Sequence, residues 1–275
     1  MPNPSEIWYV YGVVRRGFDL TRAPEGLEDT RVELCESAEL AAVVSRVDGG
    51  EYAPAAVERA TENLEWLAPR AVAHDRVLTW VSDHGPVVPL PIFSLFSGAP
   101  AVQNMLRDRH AQLVVALRRA ASGREYALRV YRIDSEVVKS AAELSPKLAQ
   151  LRDAAAAASP GQRYLLERKL ETERKGDLHS IGARVARSVM DTLRPLALDT
   201  SEGQIAPRGA HGTADAALIL DAAFLVEPAA LEEFQRELTA IVERHASQGF
   251  RFDFTGPWPL YHFVQGHAEQ SINDG

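Results

Sequence analysis

The chain has 275 residues, 46% of them hydrophobic and 25% charged, an ordinary globular composition with length for one large domain or two average ones. Its 38 acidic and 30 basic side chains leave a formal net charge of −8, no electrostatic footprint for nucleic-acid phosphates, and the single cysteine excludes a disulfide framework or thiolate metal cluster. The opening six residues lack a secretory pattern, and no apolar run approaches the roughly 20 residues that cross a bilayer, so a soluble, cytoplasmic chain with neither nucleic acid nor lipid membrane as partner is expected.

In chain order, Ile7-Trp8-Tyr9-Val10-Tyr11-Gly12-Val13-Val14 puts apolar and β-favouring residues on both alternating faces, as a central strand covered on both sides does. Residues 30–34 and 41–47 read as further short strands, the second closed by the turn signal Asp48-Gly49-Gly50. From Pro54 the spacing becomes helical through Val57, Ala60, Leu64, Leu67 and Ala71. Pro69 predicts a kink or division there, because it removes a backbone donor. Val87-Val88-Pro89-Leu90-Pro91-Ile92-Phe93 is extended and proline-interrupted, which suits an edge or crossing segment. A helix at 101–121 carries Val102, Met105, Leu113 and Leu117 on one face, and Ser122-Gly123 closes the first domain.

The second half begins with a strand at 125–133 and a helical region at 136–158 broken near Ser145-Pro146. Ser159-Pro160-Gly161-Gln162 predicts a capping box, with Ser159 as N-cap, Pro160 at N1 and Gln162 at N3. Its helix runs to Leu193, about 50 Å at the α-helical rise. The apolar stripe is Leu166, Leu170, Leu178, Ile181, Val185, Val189 and Leu193, while 167–175 is densely charged, either a solvated face or a projecting interaction surface. A short strand at 196–200, a polar loop at 202–213 and a strong strand at 216–226 follow. Pro228 opens a helix with Leu231, Phe234, Leu238, Ile241 and His245 on one side, closed by Gly249. Phe250-Arg251-Phe252-Asp253-Phe254-Thr255 then alternates as a half-solvated strand.

The order β-α-β-β-α-β is the ferredoxin-like split βαβ arrangement. The expected fold is therefore α+β with two domains. An N-terminal mixed α+β domain spans 1–122, a C-terminal modified ferredoxin-like domain with an extra long helix spans 123–264, and a mobile polar tail spans 265–275.

The eight histidines (74, 84, 110, 179, 211, 245, 262 and 267) form no i,i+3 or i,i+4 helical pair and no zinc-type motif. Phosphate-binding glycine loops and a nucleophile elbow are missing, and Cys35 has no local activating histidine. A protein without catalytic, metal or cofactor residues is the expectation. The most distinctive local sequence is Phe254-Thr255-Gly256-Pro257-Trp258-Pro259-Leu260-Tyr261-His262-Phe263-Val264. Its prolines hold the backbone extended. Trp258, Tyr261 and Phe263 either fold back over the C-terminal core or form a docking surface, since Trp and Tyr are favoured interface anchors.

Gly256-Pro257-Trp258-Pro259-Leu260-Tyr261-His262-Phe263 resembles the Gly-Pro-Trp-Pro-Pro-Tyr-x-Phe signature of the gas vesicle proteins GvpF and GvpL. Tyr9-Val10-Tyr11-Gly12-Val13 is similar to that family's opening strand. His74-Asp75-Arg76-Val77-Leu78 with Gly85-Pro86-Val87-Val88-Pro89-Leu90 resembles its central segment, and Ser159-Pro160-Gly161-Gln162-Arg163-Tyr164-Leu165 with Lys169 the start of its long helix. The resemblance covers residues 6–264. One departure stands out: the family's Arg-Phe-Gly-Thr-Val-Phe is here Ile92-Phe93-Ser94-Leu95-Phe96-Ser97. The arginine and glycine are replaced, so a role tied to them in relatives lacks its residues here, and the stretch is more apolar, which hints at a variant paralogue.

The resemblance implies two α+β domains and a minor structural or accessory protein of gas vesicles. It implies binding to the shell protein GvpA and to other accessory Gvp proteins during nucleation and assembly, at the vesicle and at its gas-facing inner surface, with no cofactor or reaction. Candidate partner-binding residues are Trp258, Tyr261, Phe263, Ile92, Phe93 and Phe96, together with the long helix. The competing reading is a ferredoxin-like ligand-binding regulatory module, which would show a pocket with convergent polar groups.

Overall fold

The first sheet is organised around strand β1 (Glu6–Arg15). In the computed structural model, which describes residues 6–60, 62–144, 146–203 and 216–265, β1 pairs antiparallel with β3 (Leu40–Asp48), and β3 with β2 (Glu33–Ser37). On its other side β1 takes two short strands, β4 (Val88–Pro89) and β5 (Leu95–Phe96). The order is β2-β3-β1-β4, with β5 also on β1.

Both faces of β1 are covered, as its composition predicts. Tyr9, Tyr11 and Val14 pack with Val43 and Val47 against helix α2 (Leu64–His84), through Val77, Leu78 and Val81. Val10 and Val13 pack with Leu40, Ala42 and Val44 against α3 (Ala99–Asp108) and α4 (His110–Ser122), through Val102, Leu106, Leu113 and Leu117. Strict alternation would place Val13 with Tyr9 and Tyr11. A bulge between Val10 and Gly12 shifts the phase, so Val13 changes sides and Val14 joins the tyrosines. Gly12 is required at this crossing, because a Cβ there would stand 2.7 Å from the Val88 carbonyl oxygen.

Several local expectations shift. The strand expected at 30–34 forms at Glu33–Ser37, because Leu27–Asp29 makes a 3-10 turn closed by Thr30 N–H to the Leu27 carbonyl at 3.0 Å. The turn after β3 forms as read, with the Asp48 carboxylate accepting from the amides of Gly50 and Glu51 at 2.8 and 3.1 Å. The following helix divides between α1 (Pro54–Ala60) and α2, not at Pro69. Asn63 starts α2 by accepting from the Glu65 amide at 3.0 Å. Pro69 sits on the exposed side near the helix start, where water reaches the carbonyl it leaves unpaired. The buried side of α2 is His74, Val77, Leu78 and Val81, whereas Leu64 is 75% exposed. The helix expected at 101–121 is two helices, separated at Arg109 with φ −100° and ψ 12°.

The second sheet runs β7-β8-β6-β9, built from β6 (Arg124–Ile133), β7 (Asp199–Glu202), β8 (Ala216–Val226) and β9 (Phe250–Trp258). In chain order this is second-third-first-fourth, the ferredoxin-like order, and the first sheet has the same one. Helices α5 (Asp134–Leu144), α6 (Pro146–Ala157), α7 (Pro160–Leu193) and α8 (Leu231–His245) complete the unit. Its core joins Leu178, Ile181, Val185, Val189 and Leu193 of α7 to Phe234, Leu238 and Ile241 of α8 and to Leu128, Val130, Leu220 and Phe224 of the sheet. The 34-residue α7 ends at Leu193 as read, and α6 packs along it. Among the described side chains its C-terminal half is core; Tyr164 and Leu165 are exposed, and Leu166 and Leu170 half-buried. The capping box is absent: Ser159 makes no side-chain cap bond, and its hydroxyl donates to the Gln162 side chain at 3.1 Å.

The chain divides into two compact units, Met1–Arg124 with Pro257–Gly275, and Glu125–Gly256. The first division lies close to the expected end of the first domain at 122. Residues 257–264, expected with the second domain, fall with the first unit instead, where Tyr261 packs on the core. The expected mobile tail at 265–275, the break at Ser145 and most of the loop at 202–213 lie outside the described residues.

Candidate partner-binding surface

The six aromatic and apolar candidates are best placed from the backbone outward. Between β4 and β5 the chain turns at 91–94, where the Ser94 amide donates to the Pro91 carbonyl at 3.2 Å and the Ser94 hydroxyl to the same oxygen at 2.7 Å. This turn leaves Phe93 at φ +63°, a left-handed conformation that is costly for a bulky side chain. Packing holds it there. The Phe93 ring meets Tyr9 edge-on at 6.3 Å and stacks on Trp66 at 5.3 Å, and its amide donates to the Tyr9 hydroxyl at 3.3 Å.

Tyr261 packs against the same apolar cluster, which also takes Phe93 and Leu95 at its margin. Leu260 beside it is 3% exposed, and the Arg119 guanidinium lies 5.6 Å from the ring of half-buried Phe263. Phe96 is on the other face of the sheet, opposite Trp8 in the β1–β5 pairing and against the α3–α4 cluster. Ile92 and Trp258 are half-buried. Phe93 and Tyr261, far apart in sequence, therefore pack on the same cluster, whereas Phe96 packs on the other one. Of the aromatics of the C-terminal element, Tyr261 folds back on a core, that of the first unit and not of the second.

Sequence reasoning missed the polar cluster beside Phe93. Arg70 pairs with Glu28 at 2.6 Å and with Glu51, and its Nε donates to the Tyr52 hydroxyl at 3.0 Å. Its guanidinium lies 4.1 Å from the Trp66 ring, whose Nε1 donates to Glu51 at 3.1 Å. Only the Trp66–Arg70 helical spacing was visible in advance; the other members come from separate segments.

Beneath these groups lies a buried network of neutral side chains. The Tyr9 hydroxyl is 2.6 Å from His74 Nδ1, and Tyr11 stacks on the same imidazole at 5.7 Å. Burial holds the His74 pKa down at about 4, against the opposing Leu90 backbone hydrogen bond, and pushes the Tyr9 phenol up. The Tyr11 hydroxyl donates to Ser45 at 3.1 Å and accepts from the Leu27 amide at 2.8 Å. These contacts fix the geometry of the network. Cys35 is buried in β2, and burial raises its thiol pKa, which disfavours the reactive thiolate. Among the described residues no group of three or more His, Cys, Asp or Glu is placed to hold a metal ion, and no helix is long and apolar enough to cross a membrane.

Two sheets of shared strand order, covered by helices, define an α+β protein. The chain belongs to the family described as gas vesicle synthesis protein GvpL/GvpF, which matches residues 7–265. It is 29% identical to gas vesicle protein L of a Streptomyces strain, over 99% of this chain and 97% of that one. It is 23% identical to gas vesicle protein L1 of Halobacterium salinarum, over 93% and 89%. Its fold is shared with crystal structures of GvpF from an Anabaena species (TM-score 0.70, 19% identity, 95% and 98% covered). The GvpF structure from Microcystis aeruginosa is also similar (TM-score 0.65, 18% identity, 94% and 99% covered). The chain's role is thus in gas vesicles.

Proposed function

We propose that this protein is an accessory or minor structural component of gas vesicles that binds the shell protein GvpA and other Gvp proteins during nucleation and assembly. The observation that carries the reading is the family match along residues 7–265. The physical task fits. A shell protein with a water-repelling face aggregates before incorporation unless partners cover that face. The contact ground is assigned to Ile92, Phe96, Trp258 and Phe263, all half-buried, with Phe93 and Tyr261 holding their segments in place. The protein acts in the cytoplasm and at the growing vesicle, on its gas-facing inner surface.

The test is to float vesicles, wash them and probe the buoyant fraction, alongside pull-down with purified GvpA. Co-flotation and capture are expected, and Trp258→Ala with Phe263→Ala weakens capture by about tenfold or more, as loss of interface anchors does. A folded protein that binds no Gvp protein overturns the reading. Unchanged capture by the double variant overturns the surface assignment alone.

A further inference from the structure

We infer that the outer edge of β9 is a self-recognition surface, and that a second copy of this chain pairs with it, β9 against β9, about a two-fold axis at Phe252. The inference goes beyond the assembly role and uses no property of any Gvp partner.

The ladder supplies the first argument. β9 ends the order β7-β8-β6-β9, so among the described residues its strand partner is β6 alone. Three contacts set that pairing. The Ile133 amide donates to the Gly249 carbonyl at 2.8 Å, the Arg251 guanidinium lies 4.3 Å from the Tyr131 ring, and a Cβ on Gly256 would stand 3.2 Å from the Tyr126 Cα. The two strands are therefore antiparallel, with 133 opposite 249, 131 opposite 251 and 126 opposite 256. Gly249 turns its carbonyl to β6, and ladder groups alternate along a strand. Arg251 and Asp253 thus also bond inward, while the amides and carbonyls of Phe250, Phe252 and Phe254 point out from the sheet edge. Such an edge is a template for another strand.

The charges choose the occupant and the register. With Phe252 opposite its own copy, Arg251 falls opposite Asp253 of the second copy, twice by symmetry, and Phe250 falls opposite Phe254. The Arg251–Asp253 positions are then a non-hydrogen-bonded pair, where side chains approach most closely. Moving the axis to Arg251 or to Asp253 sets like charges directly opposite each other, which is unfavourable.

The surroundings permit the exchange. The Arg251 and Asp253 side chains are 55% and 44% exposed and pair with each other at 3.3 Å within one chain, an open ion pair that contributes little and can be traded for the same pair between chains. On the other face of the strand, Phe252 and Phe254 are half-buried at the margin of the second core, and the facing rings of a second copy cover their remaining surface. The two-fold arrangement uses both β9 edges at once, so it closes at a dimer.

Sedimentation of the purified full-length chain over a concentration series tests this. Wild type is expected to pass from the mass of one chain to that of two as concentration rises. Arg251→Asp and Asp253→Arg each set like charges opposite in both pairs, and each is expected to weaken self-association about tenfold or more. Mixed in equal amounts, the two variants pair with each other and association returns, because one carries only acidic and the other only basic groups at 251 and 253. The double exchange, Arg251→Asp with Asp253→Arg, keeps the pairs both within and between chains and associates as wild type does, which separates the effect from a loss of folding. A wild-type chain that stays monomeric at its highest soluble concentration overturns the proposal. So do single variants that associate as wild type does, a mixture that fails to restore association, and a double exchange that stays monomeric.

Discussion

His74 shows how much a single buried residue sets. It is held neutral inside the first core, with its pKa lowered to about 4 from an ordinary 6.5. Between those values the unfolded chain binds more protons than the folded one, so stability rises with pH across the window. It is lost as pH falls from 6.5 toward 4, by roughly 3 kcal/mol in all. Urea denaturation across that window is expected to show this slope in wild type. His74→Gln flattens it, while lowering stability at neutral pH through loss of the fit to Tyr9 and Tyr11. Gly12 is a second residue of this kind. Gly12→Ala forces a Cβ against backbone, the Val88 carbonyl oxygen, and is expected to cost about 2 kcal/mol or more by thermal unfolding. Neither effect could be read from composition. The apolar run 7–14 announces a covered strand, but the bulge that sends Val13 and Val14 to opposite faces arises from pairing with β3, a partner some thirty residues away.

At the scale of elements, α7 divides into a packed half and a solvated half. Ile181 is 1% exposed in the second core, whereas Lys169 stands in solvent. Ile181→Ala is therefore expected to destabilise by about 3 kcal/mol, through lost burial and the cavity left. Lys169→Glu changes stability by less than about 0.5 kcal/mol, and chemical denaturation of the two variants separates the halves. The stripe from Leu178 to Leu193 was legible because packing there follows helical periodicity. The capping box was not, because Ser159 turns its hydroxyl to a side chain instead of to the backbone. Proline misleads in the same way at position 69. Its local penalty is real, but Asn63 offers a better start for α2, and tertiary packing of Val77, Leu78 and Val81 sets the helix's phase.

At the scale of the molecule, the strand order of the second sheet followed from the element order, yet the return of the chain to the first unit did not. Residues 250–258 alternate as one strand, and nothing local tells which core receives Tyr261 a few residues later. This arrangement makes the second unit an insertion whose ends adjoin, since a Cβ on Gly256 would touch the Glu125 carbonyl. Its core is closed on residues from α7, α8 and its own sheet. The fragment 125–256 is therefore expected to fold alone, with one cooperative urea transition and helix content matching α5 to α8. A chain ending at Gly256 keeps that transition but loses about 3 kcal/mol from the unfolding of the first unit, the burial contributed by Leu260 and Tyr261. An unfolded 125–256 fragment would show that the second core needs the first. An undiminished first transition after truncation would show that residues 257–265 contribute nothing to its stability.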